Sequence, residues 1–131
     1  MSNDRSDEAI ETVADGLRLQ VGDLPGDYVP TLLTARPAAY VVGFAVGVSR
    51  ALGASVGNHT IRTIERGCRQ GLPSEGDLGQ RLADIATGLV FDGSVKGDPD
   101  LADLREKGEN EGRAFVEDRT PPSLLSDMVY E

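Results

Sequence analysis

The stretch from residue 58 to residue 71 holds most of the side chains in this chain that could bind an anion. His59 is the single histidine, and arginines follow it at positions 62, 66 and 69. This spacing places all four side chains along one face of a helix. Guanidinium groups on one helix face suit contacts with phosphates and guanine bases. The candidate anion- or nucleic-acid-binding residues are therefore His59, Arg62, Arg66 and Arg69.

Two interpretations of these arginines stay open. The segment VSRALGASVGNHTIRTIERG resembles a helix-turn-helix, with Gly53 in the turn and Ile61 and Ile64 facing inward. The interval from Gly53 to Ile61 is about two residues longer than that motif usually has. In a chain with 22 acidic and 13 basic residues, the same arginines could instead be counter-ions for acidic helices of this or another copy.

Other chemistry finds little support in the sequence. Cys68 is the single cysteine, and it lies about two and a half helical turns from His59, too far for a nucleophile and base pair. The segment 92–103 imitates a calcium loop, but Lys96 occupies a ligand position and Asp103 replaces the usual glutamate. We predict no catalytic residue, no metal site and no cofactor.

The elements that must position the arginines are predicted to be helices. Apolar residues recur at helical spacing, and capping residues mark the boundaries. The predicted helices cover 6–21, 37–52, 58–70, 78–90 and 99–118. The predicted fold class is all-α, a compact bundle of about four to five helices with an extended C-terminal tail. A single helical domain covers 1–118, and a C-terminal tail or docking peptide covers 119–131.

The most apolar stretch, AYVVGFAVGVSRALG, is predicted to be a close-packing helix, with a strand over 39–46 as the alternative. Ala39, Gly43, Gly47 and Ala51 form a small-residue stripe at spacing four, which lets a neighbouring backbone approach. The 13 uncharged residues between Arg36 and Arg50 reach about 20 Å as a helix. A membrane span needs about 30 Å, so we predict none.

This apolar helix has more surface to bury than a chain of this length is expected to cover by itself. The helix over 99–118 is sparse in apolar residues, and the tail offers Leu124, Leu125 and Met128. We therefore predict an interface with a second copy or a larger assembly, formed by the small-residue stripe and these three tail residues.

The composition sets the expected environment. A net charge of -9 with only two lysines, Lys96 and Lys107, resembles the composition of halophilic proteins, in which screening by salt tolerates acidic surfaces. The N-terminal residues show no secretion signal. We predict a cytoplasmic, high-salt location, or a virion assembled there. The predicted function is that of a non-enzymatic structural or assembly protein, such as a virion connector-type subunit, with a helix-turn-helix regulator as the alternative.

Overall fold

A computed structural model describes residues 5–54, 58–73, 75–92 and 97–130 of the chain. Within these ranges the secondary structure is helical and includes no strand, which confirms the predicted all-α class and makes 39–46 helical. The helices are α1 Ser6–Val21, α2 Val29–Leu32, α3 Ala35–Leu52, α4 Asn58–Gly71, α5 Leu78–Asp92, α6 Pro99–Glu117 and α7 Leu124–Tyr130, with short 3-10 turns at Gly26–Tyr28 and Glu75–Asp77.

Two helix boundaries follow directly from local chemistry. Gly53 adopts φ 74°, and the N–H groups of Gly53 and Ala54 bond to the carbonyls of Arg50 and Ser49, a Schellman motif that ends α3 as predicted. Asp98 is the N-cap of α6, because its carboxylate accepts from the N–H of Asp100 at 2.9 Å. Pro99 follows in the first turn, where its missing N–H leaves no bond unmade.

Helix α3 is the centre of the bundle, and α6 lies directly against it. A Cβ atom at Gly43 would collide with the Arg105 carbonyl, and one at Gly47 with the Glu109 carbonyl. The same relation holds in reverse, because Gly108 and Gly112 of α6 lie against the carbonyls of Tyr40 and Phe44. Residue numbers rise together along both helices, so the two helices run parallel with their backbones in contact.

Ion pairs and aromatic rings support the contact between α3 and α6. Arg36 pairs with Asp100 at 3.0 Å, and Arg50 pairs with Glu109. The Phe44 ring stacks on Tyr40 and lies 6.1 Å from the ring of Phe115. The pair of Arg36 with Asp100 is exposed and that of Arg50 with Glu109 is half-buried, so the first sets the register of the two helices more than it stabilises them.

Helix α7 differs from the predicted extended tail. Leu125 and Val129 are 0% and 1% exposed, and both belong to the same core as α1 and α3. The tail therefore turns back and packs on the bundle after Pro121 and Pro122, because its apolar residues recur at helical spacing.

A buried polar network holds the start of α7. The Gln20 side chain accepts from the N–H of Leu125 at 2.8 Å and donates to the Tyr40 hydroxyl at 3.1 Å. Tyr40 donates to Glu111 at 2.7 Å, and the same Glu111 oxygen accepts from the N–H of Leu124 at 3.2 Å. Burial, with the Glu111 carboxylate next to it, raises the pKa of Tyr40 well above its ordinary value, so the hydroxyl stays protonated and keeps donating.

The backbone contact predicts a large effect for a single methyl group. Gly43→Ala should lower the free energy of unfolding by about 3 kcal/mol or more, because the colliding atom is backbone and cannot rotate away. The matched control is Gly88→Ala in α5, where a Cβ meets nothing within 4 Å. It should raise the free energy of unfolding by about 0.5–1 kcal/mol. Urea unfolding followed by circular dichroism measures both, and an equal effect of the two substitutions would contradict the contact.

The polar network predicts that Gln20→Leu lowers the free energy of unfolding by about 2–3 kcal/mol. Leucine has a similar volume but leaves the N–H of Leu125 and the Tyr40 hydroxyl without the partner they have in the network. The control is Gln80→Leu, at a surface hydrogen bond to Asp84, and it should change the free energy of unfolding by less than about 0.5 kcal/mol. Urea unfolding measures both variants. Gln20→Leu should also increase amide hydrogen exchange in α7 alone.

Candidate functional site

Helix α4 presents the predicted anion-binding residues to solvent. Its inward face is buried against α1 and α5, with Gly67 beside Val13 and Gly71 beside the Ala14 carbonyl. Ile64 and Cys68 are fully buried between these contacts. The opposite face is therefore fixed outward, and it carries His59, Arg62, Arg66 and Arg69, all exposed.

We call these four outward residues the arginine surface. They extend over eleven residues of helix, from 59 to 69, a rise of about 15 Å. Towards the C-terminal end, Arg66 and Arg69 line an open depression of about 440 Å³ together with Gln70. Glu65 lies half-buried on the same helix, at the edge of this surface.

The guanidinium groups of the arginine surface form no ion pair with any residue that the structure describes. Four arginines elsewhere are paired: Arg5 with Glu8, Arg18 with Asp15, Arg36 with Asp100 and Arg50 with Glu109. Arg81, Arg105, Arg113 and Arg119 also form no ion pair with a described residue, so the arginine surface is distinguished by having its three arginines on one helix face. The acidic helices of the same copy, over the described ranges, thus do not act as counter-ions for Arg62, Arg66 and Arg69. The counter-ion interpretation then requires acidic groups of another protein molecule, and the nucleic-acid interpretation stays open.

One further arginine borders this surface without belonging to it. Arg18 of α1 donates to the Gln70 carbonyl at 2.9 Å and is paired with Asp15 at 2.9 Å. It satisfies a carbonyl at the C-terminal end of α4, where a cation is favourable. Its role is to fasten α4 to α1, and in doing so it helps to set the direction in which the arginine surface faces.

The small-residue stripe lies inside the chain. Gly43 and Gly47 are covered by the α6 backbone, Ala39 is fully buried and Ala51 is half-buried. The cover that the sequence predicts from a second copy is supplied by α6 of the same copy. The reason is that α6 carries its own glycines at positions 108 and 112, which match the spacing of the stripe.

The three tail residues also face the core of their own chain. Leu125 is fully buried, and Leu124 and Met128 are partly buried against the core. Their apolar surface is therefore largely covered without any partner.

The residues that carry the helix-turn-helix resemblance differ in placement. Gly53 ends α3 and Ile64 is buried, whereas Ile61 is half-buried. Residues 55–57 of the turn lie outside the described residues. However, α4 packs mainly on α1 and α5 rather than on α3, whereas a recognition helix is held by the helix that precedes it.

The remaining candidate groups are separated from one another. His59 is exposed and Cys68 is buried, on opposite faces of α4. Within the described ranges, no group of three or more His, Cys, Asp or Glu side chains is placed to hold a metal ion. Residues 93–96 of the calcium-like loop lie outside those ranges, and Asp98 is used as a helix cap. Burial raises the pKa of the Cys68 thiol to about 12, so it is not a nucleophile at neutral pH.

No single helix in the described part of the chain is long and apolar enough to cross a membrane. Residues 26–32 and α3 together have the length and the apolar composition, but the two segments are bent by 74°.

Comparisons with protein-family models, curated proteins and solved structures found no match.

Burial of Cys68 predicts a pH dependence. Its pKa is raised from 9.0 to about 12 in the folded chain, so the unfolded chain loses the proton first. The free energy of unfolding therefore keeps its full contribution from the Cys68 proton below about pH 9. This contribution falls as the pH rises towards 12, and the loss is about 1.4 kcal/mol at pH 10. Urea unfolding at pH 8 and pH 10 should show a steeper decline for the natural protein than for Cys68→Ala. Equal declines would contradict the burial of this thiol.

Proposed function

We propose that this chain is a non-enzymatic helical assembly protein that docks, through the arginine surface, onto an acidic surface in a larger complex. One observation carries the proposal: Arg62, Arg66 and Arg69 are exposed and have no ionic partner among the described residues, in a chain of net charge -9. A cluster of arginines on one helix face favours one orientation of docking, because the charges of the two surfaces are complementary there.

An acidic protein is a better-supported partner than DNA. Three arginines neutralise about three phosphates, and such a contact loses roughly three orders of magnitude in affinity for each tenfold rise in salt. The other faces of the chain add repulsion from the phosphate backbone. DNA binding through α4 is the alternative, favoured by the outward direction of the arginines and disfavoured by the packing of α4 on α1 and α5.

The setting we propose is a high-salt interior, in the cytoplasm or in a virion assembled there. The low lysine content and the net charge of -9 support it. At high salt the Debye length shortens to about 3 Å, which suppresses repulsion between acidic faces more than contact ion pairs. A connector-type subunit would use such contacts to join its neighbours.

The proposal predicts the behaviour of a charge-reversed protein. Arg62→Glu with Arg66→Glu should weaken binding to fluorescently labelled poly-L-glutamate at least about tenfold, since attraction becomes repulsion. Fluorescence anisotropy at about 0.15 M salt measures the affinity, and a short DNA duplex serves as the second probe. Loss of DNA binding without any binding of poly-L-glutamate by the natural protein would replace our proposal with the alternative.

The control carries the same change in charge elsewhere. Lys107→Glu with Arg113→Glu changes two exposed residues of α6, away from the arginine surface. This variant should retain most of its affinity for poly-L-glutamate. Equal weakening by both variants would mean that only net charge matters, and it would contradict a defined docking surface.

A further inference from the structure

We infer that the acidic surface bound by the arginine surface is helix α1 of a second copy of this chain. This inference rests on the proposed function and names its partner. It is motivated by an exposed row on α1 that complements the arginine surface in charge and in length.

The row on α1 consists of Asp7, Glu11 and Asp15, which follow one another at spacing four. All three are exposed, because the opposite face of α1 is buried in the core. We call these residues the acidic row. It is about 12 Å long, and the segment from Arg62 to Arg69 is about 10.5 Å long. Two straight helices can therefore bring the three charges of each row together at once.

Two of the three acids and all three arginines of this contact have no ionic partner among the described residues. Asp7 and Glu11 form no ion pair with a described residue, while Asp15 is paired with Arg18. Glu11 and Arg66 are the middle members of their rows. They face each other whether the two helices cross in the same direction or in opposite directions, so this pair is the central contact.

Charge alone makes a weak contact, and an apolar anchor lies at the end of the acidic row. Leu19 continues the spacing of Asp7, Glu11 and Asp15 and is 65% exposed. It borders an opening of about 330 Å³ that Phe115 also lines. Exposed ion pairs fix orientation, and burial of a leucine adds affinity.

This contact would be heterologous, since it joins two different faces of the molecule. Helices α1 and α4 run side by side in one copy, with Gly67 against Val13, and each turns its charged face outward. Each docking event leaves one arginine surface and one acidic row available for the next copy. Such contacts close into rings or extend as open chains.

A charge exchange between two variants tests the inference. Light scattering at about 1 M salt, the proposed setting, where the Debye length is about 3 Å, should give a mass above that of a monomer for the natural protein. Glu11→Arg and Arg66→Glu should each weaken assembly at least about tenfold. An equimolar mixture should regain it, because the reversed row of one variant complements the reversed surface of the other. Glu106→Arg and Arg113→Glu on α6 are matched controls, and neither alone nor mixed should they change the mass.

The outcomes separate this inference from the proposed function. If the natural protein is a monomer and Arg66→Glu still loses poly-L-glutamate, the arginine surface docks on another protein and the second copy is excluded. If Glu11→Arg assembles normally, α1 is not the partner surface. If the natural protein neither assembles nor binds poly-L-glutamate, both proposals fail. Leu19→Ser should weaken assembly while leaving poly-L-glutamate binding unchanged, and circular dichroism verifies that each variant is folded.

Discussion

Backbone contact between α3 and α6 is the constraint on which the rest of the structure depends. Gly43 and Gly47 on one helix, with Gly108 and Gly112 on the other, remove the side chains that would keep the axes apart. The larger residues beside them, such as Phe44, then fill the sides of the contact. A helix that is apolar on nearly all faces is buried in this way within one short chain.

This close approach also accounts for the polar residues in the core. With α6 against α3, Glu111 comes within 2.7 Å of Tyr40, and Tyr40 comes within 3.1 Å of Gln20 on α1. Two acceptors then point at the start of α7, so a segment too short to be stable alone becomes helical. The network joins four helices, and its hydrogen bond between Tyr40 and Glu111 depends directly on the distance between α3 and α6 that the glycines set.

The sequence predicts what is local and misses what is tertiary. The Gly53 terminus, the Asp98 cap and the outward arginines of α4 were predictable, because each depends on residues within one turn or on helical periodicity. The spacing of Gly43 and Gly47 indicates a close neighbour, but it does not say which one. Gly108 and Gly112 lie in a charged segment, where their match to the stripe is inconspicuous. The helical spacing of the apolar residues in α7 was visible in the sequence, but the contact that holds its start was not, because Gln20 lies 105 residues away from Leu125.

The internal use of the apolar surface limits how this protein can bind a partner. The apolar faces of α3, α6 and α7 are buried against one another. They therefore leave little apolar surface for a large hydrophobic interface of the kind seen in permanent dimers. Under the proposed function, charged faces set the orientation of binding, and single exposed apolar residues such as Leu19 add affinity. Contacts of this kind are individually weak, and closure of a ring stabilises them because every copy is then held by a neighbour on either side. Under the proposed function, arginines clustered on one helix and a row of acids on another suit the repeated heterologous contact of an assembly.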